Sequence, residues 1–251
     1  LGAVYQPEVG IVSGLEAFGA AARALSPAGV QRRDGLIEAA RAEYERNLQE
    51  VTELPGALQM SAVMAALRER LGPDAILTNG AGNFSVWAHR YYEFHRYPTQ
   101  LGPRSGSMGY GVPAAVAAKA VHPDRPVVCL AGDGDFLMTG QELATAVQEE
   151  LAVVILVVNN GMYGTIRMHQ EREYPGRVSA TMLKNPDFAA YARAFGGHGE
   201  RVETTEEFAP AFERATRSGK PALLHCLVDP EAITPTTTLT ALREKAMAAG
   251  R

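Results

Sequence analysis

Residues 127–131 and 153–158 are two unbroken apolar, β-branched runs, and between them 140–150 places Leu143, Ala146 and Val147 on one helical face. Runs that are apolar at every position predict strands covered on both sides, as parallel strands are. A strand, a helix and a second strand predict a right-handed crossover within one sheet. The same alternation extends in both directions. Residues 59–71 set Met60, Val63, Met64, Leu67 and Leu71 on one helical face, and a strand at 75–78 follows. A small-residue helix is expected at 113–120. Asn185-Pro186-Asp187 opens a helix with Phe188, Tyr191, Ala192 and Phe195 inward, Pro being tolerated in a first turn. Thr204-Thr205-Glu206-Glu207 has the form of a capping box ahead of a helix bearing Phe208 and Phe212, and 222–228 is the last buried strand. Together these predict an α/β fold: a doubly wound, mostly parallel sheet with helices on both faces. No internal repeat is present.

The ends are less regular. Residues 9–12 predict a strand and 15–25 an alanine-rich helix, a pair too small to bury a core alone and therefore expected to need a partner. Residues 26–55 hold Pro27, Gly29, a charged helical stretch at 34–47 and Pro55-Gly56, and are expected to be a linker. The regular pattern spans 56–230, which leaves 231–251 as a C-terminal tail.

With 251 residues, 46% hydrophobic and 21% charged, the chain can bury a substantial core. Its net charge of −4 argues against a nucleic-acid surface. The basic and aromatic run at 89–97 is accordingly expected at an interface or a pocket rim. Cys129 and Cys226 both fall in predicted strands and are expected to be reduced core thiols. Six histidines lack metal-ligand spacing, which disfavours zinc. No apolar run approaches a membrane-spanning length and Leu1 opens no signal peptide, so a cytoplasmic protein is expected.

The candidate chemistry lies at the strand ends. Gly132-Asp133-Gly134, expected as a tight turn, follows the first central run, and Asn159-Asn160-Gly161 follows the second. Each is an ordinary turn former alone. The crossover, however, brings Asp133 and Asn160 to one carboxyl edge, where open α/β sheets bind ligands. A carboxylate and an amide oxygen there suit a hard cation such as Mg²⁺. The loop Gly80-Ala81-Gly82-Asn83 also follows a strand, which raises a nicotinamide dehydrogenase as a second enzyme class. It lacks the third glycine of a dinucleotide fingerprint and an acidic residue about 20 positions on.

Three segments carry a resemblance: Ser105 through Ala115 (SGSMGYGVPAA), Gly132-Asp133-Gly134 with Glu142-Leu143-Ala144-Thr145-Ala146, and Asn159 through Arg167 (NNGMYGTIR). They resemble the thiamine diphosphate-dependent enzymes, in particular the branch with acetolactate synthase, benzoylformate decarboxylase and related 2-keto acid decarboxylases and lyases. The likeness covers roughly residues 56 to 230 and implies the thiamine diphosphate-binding fold. It further implies that Asp133, Asn160 and the Met162 carbonyl bind Mg²⁺ bridging the two phosphates. Gly132, Gly134 and Asp135 would face the diphosphate, Gly134 and Asp135 through their N–H groups. Gly80, Ala81, Gly82 and Asn83 would add a second phosphate contact, with glycines admitting close backbone approach. Tyr163, Gly164 and Thr165 belong to the same cofactor set. Met108 would wedge between the cofactor's two rings, its N–H and the Gly106 carbonyl holding the aminopyrimidine.

The implied reaction is cleavage or formation of a C–C bond on a 2-keto acid or aldehyde, in a homo-oligomer. The substrate stays open. Acetolactate synthases carry a Trp where this chain has His169, which is either a substrate contact or a polar rim residue. The segment 159–167 is closer to the benzoylformate decarboxylase pattern. In this family a glutamate of a pyrimidine-binding domain, usually from a neighbouring subunit, activates the cofactor, and no segment here resembles that domain. Glu142 sits in the crossover helix, where packing or capping is expected. The chain therefore resembles the carboxyl-terminal portion of a longer enzyme, alone inactive, with a separately encoded subunit or a non-catalytic cofactor-binding fragment as alternatives.

Overall fold

The computed structural model describes residues 2–26 and 34–250. The chain divides into two compact units, Leu1–Glu45 and Arg46–Arg251. In the first, helix α1 spans Leu15–Arg23, and α2 (Asp34–Gln49) runs on in sequence into the second. The strand expected at 9–12 is not formed, and Val9, Ile11 and Val12 are exposed. A strand persists only where its backbone groups are paired, and no other strand lies among the described residues of this unit. The expected linker holds a helix, and its residues 27–33 lie outside the described residues.

The second unit is built on six parallel strands: β1 (Ile76–Asn79), β2 (Gln100–Leu101), β3 (Val127–Gly132), β4 (Val154–Asn159), β5 (His198–Val202) and β6 (Ala222–Leu227). Their order is β2-β1-β3-β4-β6-β5. Leaving β1, the chain moves outward to β2. It then returns to the other side of β1 for β3 and moves on to β4. Connections from the ends of β1 and β3 thus diverge, leaving a crevice at their carboxyl ends.

Period-two alternation divides each strand between two apolar layers. Val128, Leu130, Leu156 and Leu224 pack with α3 (Met60–Arg70), α4 (Ser85–Tyr91) and α10 (Thr205–Arg217). Val127, Cys129, Ile155 and Leu223 pack on the other side with α5 (Gly111–Val121), α6 (Asp133–Thr139), α7 (Leu143–Gln148) and α9 (Phe188–Ala194). The doubly wound α/β architecture is the expected one. Cys129 and Cys226 are free and buried, and burial pushes both thiols up to about 12. The capping box forms, with Thr204 as the N-cap of α10.

Three local expectations change. Gly132-Asp133-Gly134 is no tight turn: Gly132 is extended, and Asp133 begins α6 directly. The crossover is consequently α6, one 3-10 turn at Gly140–Glu142, and α7; there the Thr145 hydroxyl donates to Glu142 Oε2. Tyr91 and Tyr92, from the basic aromatic run, are buried in the core rather than forming a rim. The expected tail is folded. Strands β7 (Ala232–Thr234) and β8 (Thr237–Thr238) pair antiparallel, and α11 (Leu239–Ala248) contacts α8 (Gly164–Glu173). Buried Ile233 and Leu239 join Met162 in a third apolar cluster there.

Candidate functional site

The loops after β1, β3 and β4 converge on one cleft of about 760 Å³, counting space open to solvent. Of the cofactor residues singled out in the sequence, Ala81, Gly82, Asn83, Met108, Gly132, Gly134, Asp135, Asn160, Met162, Tyr163, Gly164 and Thr165 line it, with Asp133. Gly80 and Gly106 do not line it. Gly80 abuts the Asp135 carboxylate, and Gly106 (φ +68°) lies exposed on the loop before α5. His169 is exposed on α8 and is also outside the lining. Sequence reasoning missed the apolar part of the cleft lining, where Leu54, Leu58, Met60, Phe84, Trp87 and Ile233 come from three separate segments.

Asp133 is 3% exposed. Its Oδ1 accepts the Gly134 N–H (3.0 Å), and its Oδ2 accepts the Gly161 N–H (2.9 Å) and the Asn185 side-chain amide (2.7 Å). Burial pushes its pKa up, and these hydrogen bonds act in the opposite direction. All three donors are neutral, so a buried carboxylate stands without a cationic side chain among its partners. Gly161 (φ +70°) makes the turn that delivers its N–H to Asp133 while its carbonyl accepts from Leu183 (2.8 Å). Asn160 Oδ1 accepts the Met162 N–H at 3.2 Å.

Asp135 has a side-chain role beside the backbone one expected of it. It lines the cleft, and its carboxylate accepts the N–H groups of Gly109 (2.7 Å) and Ala81 (3.1 Å), tying three loops together. Burial raises its pKa to about 6, opposed by those bonds. Asn83 is engaged as well. Its N–H donates to the Thr165 hydroxyl, which donates back to Asn83 Oδ1, and its amide reaches the Ile233 carbonyl (3.1 Å).

The glycines serve packing as much as ligand approach. A Cβ on Gly82 or Gly132 would come within 2.7 Å of the Phe84 ring, and one on Gly80 would fall on the Asp135 carboxylate.

These residues fit an anion bridged by a hard cation. The N-terminus of α8 opens on the cleft at Gly164 and Thr165 with no side-chain cap, so its free N–H groups and dipole favour phosphate oxygens. Asp133, Asn160 and Met162 line the same cleft, and a carboxylate, an amide oxygen and a backbone carbonyl are the kinds of donor Mg²⁺ takes. Among the described residues no group of three or more His, Cys, Asp or Glu is placed to hold a metal.

Residues 80–226 match the family described as thiamine pyrophosphate enzyme, C-terminal TPP binding domain. The acetolactate synthase large subunit of Corynebacterium glutamicum is 38% identical over 188 residues, covering 72% of this chain and 30% of that protein. The large subunit of Escherichia coli acetolactate synthase isozyme 2 is 35% identical over 179 residues, 70% of this chain and 32% of that one. Among solved structures, the thiamine diphosphate-dependent 4-hydroxybenzoylformate decarboxylase of Rhodococcus jostii superposes with a TM-score of 0.68 at 30% identity, over 72% of this chain and 34% of that one. The chain spans about a third of the length of these relatives. A cleft at the switch point, a carboxylate and asparagine at its floor, and a family match covering more than half the sequence agree: the chain belongs to the thiamine pyrophosphate-dependent enzymes.

Proposed function

We propose that this chain binds thiamine diphosphate through Mg²⁺ and takes part in cleavage or formation of a C–C bond on a 2-keto acid or aldehyde, as an acetolactate synthase-like lyase or transferase. The observation that carries this is the buried Asp133 carboxylate, partnered only by neutral donors, beside the uncapped N-terminus of α8.

Asp133, Asn160 and the Met162 carbonyl would hold the cation. N–H groups at Gly134, Asp135, Gly164 and Thr165 would hold the phosphates, and Met108, half-buried at the cleft, would support the ring portion. Thiamine diphosphate supplies an acidic thiazolium carbon and an electron sink for chemistry next to a carbonyl. The protein's part is to fix and exclude: Gly161 and Asn185 hold Asp133, the Asp135 carboxylate fixes two loops, and Phe84, Trp87 and Ile233 keep part of the cleft lining apolar.

A pyrimidine-binding domain of the same or a neighbouring subunit would contribute the activating glutamate, in a homo-oligomer, and this portion alone would bind cofactor without turnover. Two free, buried thiols support a cytoplasmic setting. Among the described residues, no helix is long and apolar enough to cross a membrane. Calorimetry of thiamine diphosphate binding with and without Mg²⁺, on the intact protein and its Asp133→Ala variant, tests the assignment. The variant should lose Mg²⁺-dependent binding and stay folded; unchanged affinity overturns it.

A further inference from the structure

Resting on that cofactor assignment, we propose that Asn185, backed by Asn159 and His225, is the positioning residue that fixes the Asp133 carboxylate for its cation. Asn185 lies two residues before the N-cap of α9 and is remote in sequence from the cofactor segments. Its Nδ2 donates to Asp133 Oδ2 at 2.7 Å and to Asn159 Oδ1 at 2.9 Å. Asn159 Oδ1 also accepts the Gly161 N–H at 2.9 Å, so its own amide nitrogen is the group that meets His225 Nε2 at 2.8 Å.

These directions fix the tautomer. Nε2 must accept, so His225 is neutral with its proton on Nδ1, which is buried 3.7 Å from Asp187 Oδ1 without a hydrogen bond. The ring is 4% exposed and packs edge-on against Phe188 at 5.1 Å between centroids.

The consequence for the carboxylate is directional. Oδ2 is occupied by two donors on the protein side, while Oδ1 keeps only the N–H of the adjacent Gly134. One oxygen is anchored and the other is available to a cation. Four residues from β4, the start of α6, the loop before α9 and β6 thus form one hydrogen-bonded chain behind the proposed metal site. Outer partners of this kind set ligand orientation and affinity.

The test titrates Mg²⁺ into the intact protein at saturating thiamine diphosphate, followed by the fluorescence of Trp87, the single tryptophan, which lines the cleft. Asn185→Ala should raise the half-saturating Mg²⁺ concentration by about tenfold or more, with thiamine diphosphate affinity at saturating Mg²⁺ kept within about twofold. His225→Leu should also weaken Mg²⁺ binding, and His225→Gln, whose carbonyl can accept from Asn159, should restore it. Parent-like Mg²⁺ binding in Asn185→Ala overturns the proposal. If that variant does not fold, parent-like binding in His225→Leu overturns it equally. Asp133→Ala is the control. If it too binds Mg²⁺ as the parent does, the cofactor assignment itself has failed; if it alone loses binding, only the positioning role falls.

Discussion

The carboxylate of Asp135 accepts the backbone N–H of Gly109 at 2.7 Å, joining the segment that carries Met108 to the helix that begins at Asp133. The same carboxylate takes the Ala81 N–H, so one side chain holds the loops after β1 and β3 and the segment before α5. Asp135→Ala should leave two N–H groups without their acceptor, one of them buried, costing about 2 kcal/mol or more of stability. Urea unfolding measures this, and a loss under about 0.5 kcal/mol would show that solvent replaces the carboxylate.

Glu171, 1% exposed, lies between two arginines. Arg243 donates to both its oxygens at 2.8 Å, and Arg167 Nε at 3.0 Å. The Arg243 hydrogen bond is the largest cause that lowers its pKa to about 2, with burial opposing. A carboxylate with a depressed folded-state pKa stabilises fully above its unfolded value, here 4.5, and that stability is lost as pH falls from 4.5 toward about 2. Acid unfolding should therefore steepen in that window, and Glu171→Gln should flatten it while destabilising the neutral-pH protein by on the order of 3 kcal/mol. Thermal melts of both proteins from neutral pH down to about pH 3 provide the check.

Gly132→Ala should destabilise the protein by about 1–3 kcal/mol even without cofactor, because the added methyl meets the Phe84 ring. Adding Phe84→Leu should recover part of the loss. A Gly132→Ala protein with parental melting temperature and impaired cofactor binding would instead assign this glycine to the phosphate alone.

Met108→Ala should lower proton exchange at the thiazolium carbon and turnover by about tenfold or more while leaving cofactor affinity nearly intact, since the proposed phosphate and metal contacts do not involve its side chain. The measurement compares exchange and product formation from pyruvate, benzoylformate and simple aldehydes in the assembled enzyme. Equal exchange rates remove Met108 from the mechanism.

Central strands were legible because they are apolar throughout: β3, β4 and β6 are buried on both faces and read as continuous runs. β5 escaped because it is an edge strand, His-Gly-Glu-Arg-Val, with only its last residue buried. β2 is two residues long and carries no periodicity. α8 was hidden by its own polarity; it is held by the Glu171 ion pairs and by α11, neither of which its own sequence announces. In the site, Asp133 and Asn160 were visible as residues following strands. Asn185 and His225 were not, since their importance arises only when β6 and the loop before α9 come beside β4. The expected strand at 9–12 shows the converse: an apolar run without a pairing partner makes no strand.

The placement of β6 between β4 and β5 imposes an order on biosynthesis. β5 is made first, yet among the described residues its one strand neighbour is β6, and β4 keeps one open edge until residues 222–227 have left the ribosome. Nascent chain ending before that point would hold β1, β3 and β4 in partial register with a bare, highly apolar edge, the form of surface that recruits chaperones or aggregates. Arrival of β6 would seal that edge, give β5 its neighbour and bring His225 under Asn159 in one step, so sheet closure also completes the hydrogen-bonded chain behind Asp133.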